Sequence, residues 1–388
     1  MLEERIVPAS LGLPQDLVGF HQGEWRVGVS NGSSAFNSST WATWANIAWS
    51  SLIQGDFTGD GRTDVAGLYL GEWWVGVSTG SRFVTTNWIR SANLNYQDIL
   101  VGDLDADGDD DILTRVGSDY RAYLSTGVSF VPSFGWATTG GRIWDNSFLA
   151  DVNGDGGADL IVRHGDDWLV GLSDGTRFGP GQTWLRNFGE PFDGLTMADM
   201  NFDGRADVVA FLNGAWYIGF STGTFFDLRL IQTWKNTDLW RDARLGDFDG
   251  NNVGDFTARI LGEWWVGRMF ISGNTITVTT TRWAIWANVD WQDVRVGDFD
   301  GDGRDDVAGR YLGEWWVGES TGTSFVASRW AIWRNVPWRA VATVQVNNVP
   351  AAIAVAAAVA EEEETAALFW SRADEDEELA AALLSLSA

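Results

Sequence analysis

Six acidic loops recur along the chain at nearly constant intervals, and this phasing restricts the fold more than any other feature. They run 56–64, 103–111, 151–159, 199–207, 247–255 and 298–306, with first residues 47, 48, 48, 48 and 51 positions apart. Short alternating apolar segments bounded by turn residues fill the intervals. A period of this length built from short strands points to a propeller or a similar repeat array rather than a doubly wound enzyme domain.

One unit, residues 291–338, resolves into four antiparallel strands. They are Trp291–Val296, Asp306–Tyr311, Trp315–Gly318 and a fourth near Phe325 and Val326, joined by the acidic loop, a Gly313-Glu314 hairpin and a Ser320-Thr321-Gly322 turn. Four such strands make a propeller blade. The aromatic that leads the third strand, Trp25, Trp73, Tyr120, Trp168, Trp216, Trp264 and Trp315, counts seven blades. The expected fold is therefore all-β, a seven-bladed β-propeller of four-stranded blades over residues 1–348. Residues 338–346 read as a first strand with no acidic loop behind it, and are expected to complete blade 1 so that no sheet edge stays unpaired. Residues 2–7 compete for that place, and residues 8–16 have the length of a seventh loop without its ligands. Residues 349–388 are rich in Ala and Glu and are expected to form a helical or disordered acidic tail.

The net charge is −27, which disfavours nucleic acid and anionic membranes and favours metal cations as partners. Cysteine is absent, so disulfides contribute nothing. No segment reaches the roughly 18 apolar residues of a membrane span. Met1-Leu2-Glu3-Glu4-Arg5 is not the start of a secretory signal. The repeat begins in mid-unit, so the N-terminus is expected to be incomplete.

The loops offer oxygens at alternate positions. A hard cation such as Ca²⁺ takes roughly six to eight oxygens, which acids at positions 1, 3, 5 and 9 supply with the carbonyl of position 7, while glycine at position 6 permits the turn. Asp103, Asp105, Asp107 and Asp111 with Asp109, and Asp298, Asp300, Asp302 and Asp306 with Arg304, match fully. Asp151, Asn153, Asp155 and Asp159 with Gly157, and Asp199, Asn201, Asp203 and Asp207 with Arg205, each replace one acid by an amide. The first loop has Thr58, a poor ligand, beside Asp56, Asp60, Asp64 and the carbonyl of Arg62; the fifth has Asp247, Asp249, Asn251 and Asp255 with Val253, and Asn252 at the turn. A single nonapeptide of this kind is as readily an acid-rich turn. Six in phase favour calcium in up to six loops, in a structural role.

The D-x-[DN]-x-D-G-x-x-D loop between blade strands resembles the FG-GAP or VCBS repeat, the unit of the integrin α propeller and of many bacterial secreted proteins. The likeness covers about residues 10–346. It implies a cation in the turn between the first two strands of each blade, an extracellular or cell-surface location, and a role in adhesion or carbohydrate binding.

The chain holds 25 Trp. In the connection from one blade to the next, the first aromatic is always Trp, from Trp41 to Trp330, and the last is always aromatic, from Trp49 to Trp338, which suits packing between blades. The middle position varies: Trp44, Ser91, Thr139, Asn187, Thr237, Trp286 and Trp333. The second residue of the third strand varies likewise and is Trp at Trp74, Trp265 and Trp316. These six indoles, beside Glu72, Glu263 and Glu314, are expected to be exposed and to stack sugar rings in a groove between blades 6, 7, 1 and 2. Strand alternation places these connections on the rim opposite the acidic loops. The expectation is a calcium-stabilised, monomeric, lectin-like module whose partner is a glycan or cell-surface protein, with no nucleic acid and no membrane insertion. A protein-interaction scaffold and a polysaccharide-degrading propeller are the alternatives. No catalytic constellation is visible, because His21 and His164, the only histidines, fall at unrelated phases.

Overall fold

The computed structural model describes residues 13–346 apart from 93, 143, 190–191 and 236–238. Within them the chain forms seven four-stranded antiparallel sheets. Six are consecutive in sequence. The seventh closes the ring: Arg339–Val344 pairs with Asp16–His21, ahead of Glu24–Ser30 and Phe36–Thr43. The rival closing segment, 2–7, lies outside the described residues, as do most of 8–16 and the whole of the expected tail. Among the described residues no helix is long and apolar enough to cross a membrane.

Burial along each strand follows its place in the blade. The second strand is covered on both faces by neighbouring blades, so Asp64–Tyr69 is almost continuously buried. The third alternates, as in Glu72–Ser78, and the fourth, as in Phe83–Arg90, is largely exposed. Trp25, Trp73, Trp168, Trp216, Trp264 and Trp315, which lead the third strands, are all 0% exposed and form the centre of each blade.

One rim is laced by a repeated polar strap. The position-9 carboxylate of each loop accepts the backbone N–H of the residue 14 positions on, at 2.7 Å for Asp64 and Ser78 and 2.6 Å for Asp306 and Ser320. Except in the fifth loop, where it is Met269, that residue is a serine; Ser125 and Ser320 donate their hydroxyls to the previous blade, to the Phe57 and Phe248 carbonyls, each at 2.6 Å. Asp16 keeps this role in blade 1, accepting from Ser30 N–H at 2.8 Å, while Ser30 donates to the Phe299 carbonyl at 2.5 Å. The acidic loops therefore sit where neighbouring blades are tied together.

Candidate functional site

Within the loops, the position-1 carboxylate accepts the N–H groups of positions 5 and 6. Asp103 accepts from Asp107 at 3.2 Å and Gly108 at 3.0 Å, and Asp199 from Asp203 at 3.1 Å and Gly204 at 2.8 Å. The wrapped backbone gathers Asp103 with Asp105 and Asp111, Asp247 with Asp249 and Asp255, and Asp298 with Asp300 and Asp302, each set with oxygens within 4.8 Å of one another. In the first loop the Thr58 hydroxyl turns to Asp64 at 3.3 Å. The amides of Asn153 and Asn201 donate to Asp155 and Asp203 at 2.8 and 3.1 Å.

Two features of these loops bear on whether they could hold a hard divalent cation. Buried oxygens at ligand positions, Asp105 Oδ1, Asn251 Oδ1 and Asp255 Oδ2, have no hydrogen-bond donor, an arrangement that is costly unless a cation takes the lone pairs. Burial also pushes the position-9 carboxyls far above the ordinary carboxylate range: Asp64 and Asp159 to about 7, Asp111 and Asp207 to about 8, Asp255 to about 9, and Asp306 well upward. The position-7 arginines add a feature that the spacing did not reveal. Arg62, Arg205 and Arg304 fold back to pair with Asp60, Asp203 and Asp302, and their Nε atoms donate to the carbonyls of Ser78, Ser221 and Ser320 at 3.2, 3.2 and 3.1 Å.

The expected tryptophan groove is corrected by the structure. Trp44, Trp286 and Trp333 are 8%, 8% and 2% exposed, because each ring is inserted between two blades. Trp44 Nε1 donates to Thr85 of the next blade at 2.7 Å, and Trp333 Nε1 to Ser38 of blade 1 at 2.8 Å. The receiving blade makes room with glycine: a Cβ on Gly67 would lie 2.7 Å from the Trp44 ring, and one on Gly318 would lie 2.9 Å from the Trp286 ring. Trp74, Trp265 and Trp316 are half-buried, and their N–H groups donate to Glu72, Glu263 and Glu314 at 3.1, 3.2 and 3.2 Å. Those glutamates also pair with Arg90, Arg282 and Arg329 at 2.6, 2.6 and 2.7 Å. The expected sugar acceptors are thus already engaged within their own blades.

The other junctions use other plugs. Between blades 2 and 3, where Ser91 replaces Trp, Tyr123 stands at the third-strand position held by glycine in the other blades, and its hydroxyl meets Tyr96 OH at 2.7 Å. Phe188 fills the next-but-one junction against Tyr217, with ring centroids 5.5 Å apart. Trp234 packs on Phe256 at 5.7 Å in the one after.

Between blades 3 and 4 there is no such plug. Thr139 occupies the middle position, and a cavity of about 970 Å³ opens, with Tyr120, Phe134, Trp136, Trp144, Val162 and Gly171 among its walls. Two local features widen it. The register break after the leading aromatic, which skips one residue in blades 1 and 2, skips two between Tyr120 and Arg121, namely Gly135 and Trp136, and the adjacent Phe134 is 67% exposed. The fourth strand of blade 4 is cut to Gln182–Leu185 by Gly179-Pro180-Gly181, since proline cannot donate to the ladder. Sequence reasoning missed this site by looking for added tryptophans. Its signal was a missing one, at Thr139, together with that Gly-Pro-Gly run.

No protein-family profile and no curated protein sequence matches the chain. Solved structures do. A lectin of Agrocybe aegerita, described for specific recognition of non-reducing terminal N-acetylglucosamine, is 19% identical with a TM-score of 0.69, covering 81% of this chain and 90% of the lectin. A functionally unknown protein from Desulfotomaculum acetoxidans DSM 771 is 10% identical with a TM-score of 0.52, covering 84% and 98% of the two chains. A Lactobacillus plantarum protein is 10% identical with a TM-score of 0.51, covering 83% and 97%. At these identities the likeness is one of fold. The chain is a seven-bladed β-propeller, built on an architecture it shares with a sugar-binding lectin.

Proposed function

We propose that this protein is a carbohydrate-binding module of FG-GAP/VCBS type, braced by calcium and working at the cell surface or outside the cell. The observation that carries the reading is the unplugged junction between blades 3 and 4. Its volume of about 970 Å³ suits a small saccharide. Aromatic walls provide faces for the C–H side of a pyranose, and the Arg121 and Arg142 guanidinium groups among the lining residues provide donors to its oxygens. The fold likeness to a lectin supports binding over catalysis. Both histidines support it too: His21 Nδ1 lies 2.9 Å from the Pro337 carbonyl, and the His164 ring packs edge-on against Trp144.

Calcium is assigned a structural part. When bound it would neutralise the loop carboxylates and take up the unpartnered oxygens, fixing the strap between blades. The ligand is held by residues of blades 3 and 4 away from those loops, so the ion shapes the walls without touching the sugar.

The test is a glycan panel titrated against tryptophan fluorescence in the presence of Ca²⁺. Wild type is expected to bind at least one sugar class. Thr139→Trp combined with Val162→Gly, which rebuilds the plug of the Trp44–Gly67 junction, is expected to abolish that binding. Silence of the wild type across the panel, or undiminished binding by a folded plugged variant, would refute the reading.

A further inference from the structure

We propose that the cavity between blades 3 and 4 selects a sugar bearing a carboxylate, and that Arg121 and Arg142 make the selection. The inference deepens the carbohydrate reading above and rests on it. In a chain of net charge −27, arginines elsewhere in the ring are mostly engaged by acids. Arg26, the blade-1 counterpart of Arg121, pairs with Glu24 at 3.3 Å. In blade 3 the corresponding acid is Asp119, an exposed residue at the cavity wall that accepts from the Ser118 hydroxyl at 3.2 Å. Arg121 instead lies over the Phe134 ring, 5.5 Å from its centroid. Among the described residues neither Arg121 nor Arg142 has a carboxylate within ion-pair distance, and both line the cavity.

The indoles of blade 3 differ from their counterparts in the other blades. Trp88, Trp234, Trp283 and Trp330 donate their N–H groups to hydroxyls at 3.1, 3.1, 3.0 and 3.0 Å. Their blade-3 counterpart, Trp136, has a buried N–H with no acceptor. Trp49, Trp240, Trp291 and Trp338 donate to backbone carbonyls at 3.1, 2.8, 3.0 and 3.1 Å. Trp144, at the same position in blade 3, likewise has a buried N–H without a partner. Both residues line the cavity, though their N–H groups are closed to solvent, as are the equally unpartnered ones of Trp25, Trp73, Trp216, Trp264, Trp286 and Trp315. Meanwhile the Thr138 and Thr139 hydroxyls accept from Gly140 and Gly141 N–H at 3.3 and 3.2 Å. The walls therefore offer two cations around aromatic surface, with Asp119 the one carboxylate. A ligand that fits must combine a ring with an acceptor-rich, negative group, and a planar carboxylate matches the guanidinium fork.

The experiment is calorimetric titration of the full chain in Ca²⁺ with methyl glucuronide and methyl glucoside, which differ only in a carboxylate against a hydroxymethyl group. Wild type is expected to prefer the glucuronide by about tenfold or more, with the preference shrinking as salt rises. Arg121→Gln with Arg142→Gln is expected to bring the ratio of affinities close to one while melting at the wild-type temperature. Arg121→Lys with Arg142→Lys is expected to keep part of the preference. Equal affinities in wild type, an intact preference in the glutamine variant, or tighter binding of a 6-sulfated glucoside would overturn the assignment. If only the neutral sugar binds, acid selection fails and the carbohydrate reading survives; if no sugar binds, both fail.

Discussion

At the residue scale, the junctions between blades show how volume is conserved across a contact that no single position controls. Trp44, Trp286 and Trp333 each meet a glycine in the next blade, at Gly67, Gly309 and Gly19. Where the tryptophan is missing, the facing residue grows between blades 2 and 3, where the Tyr123 hydroxyl reaches Ser91 at 3.2 Å; at Thr139 the space is left open. Interiors pack at near-crystalline density, so such pairs change together. Sequence reading took variability at the middle position for freedom from packing. At the junction between blades 2 and 3 the variation is compensation, and at Thr139 it is an opening; the two are told apart only once the residues of two blades are set side by side. Gly67→Ala tests the pairing. Its new methyl would sit 2.7 Å from Trp44 and 2.9 Å from Trp49, and overpacking of this kind is expected to cost about 1–3 kcal/mol, measured by urea denaturation. A change near zero would mean that the rings yield freely.

At the scale of the element, the acidic loops were the most legible part of the chain. Their phase, ligand spacing and turn glycines are local, and local rules recover them. The straps between loops were not legible, because Ser125 and Phe57 are 68 residues apart in sequence. The buried position-9 acids give a pH signature. With Asp64 and Asp159 raised to about 7 and Asp111 and Asp207 to about 8 by burial, the fold holds protons that the unfolded chain releases near its ordinary carboxyl value. Stabilisation from these protons is full below about pH 4 and is lost as pH rises through 7 and 8. On the calcium reading proposed above, the ion would take the place of the protons. Metal-stripped protein is therefore expected to melt progressively lower from pH 5 to pH 8, and the increase in Tm on adding Ca²⁺ is expected to widen over the same range. A Tm increment independent of pH, read by calorimetry, would contradict the loop assignment.

At the scale of the whole molecule, closure by Arg339–Val344 joins the last described segment to the first. Seven sheets in a ring leave each first strand packed beside its neighbours, with the fourth strands at the outer edges. A chain ending at Val346 is expected to keep the Tm and ligand binding of the full protein. One ending at Pro337 exposes the edge of Asp16–His21 and is expected to melt lower and to self-associate; equal melting of the two would argue that blade 1 does not need its closing strand. The seven-fold arrangement also explains why one junction can be opened at tolerable cost. Six plugged contacts hold the ring while the contact between blades 3 and 4 stays open. The most direct measurement is a crystal structure of the calcium-loaded protein soaked with a mixture of neutral and acidic saccharides. The account predicts sugar density between blades 3 and 4, against Trp136, Trp144 and Arg121. Density confined to blades 6, 7 and 1, or an empty junction beside sugar bound elsewhere, would contradict it.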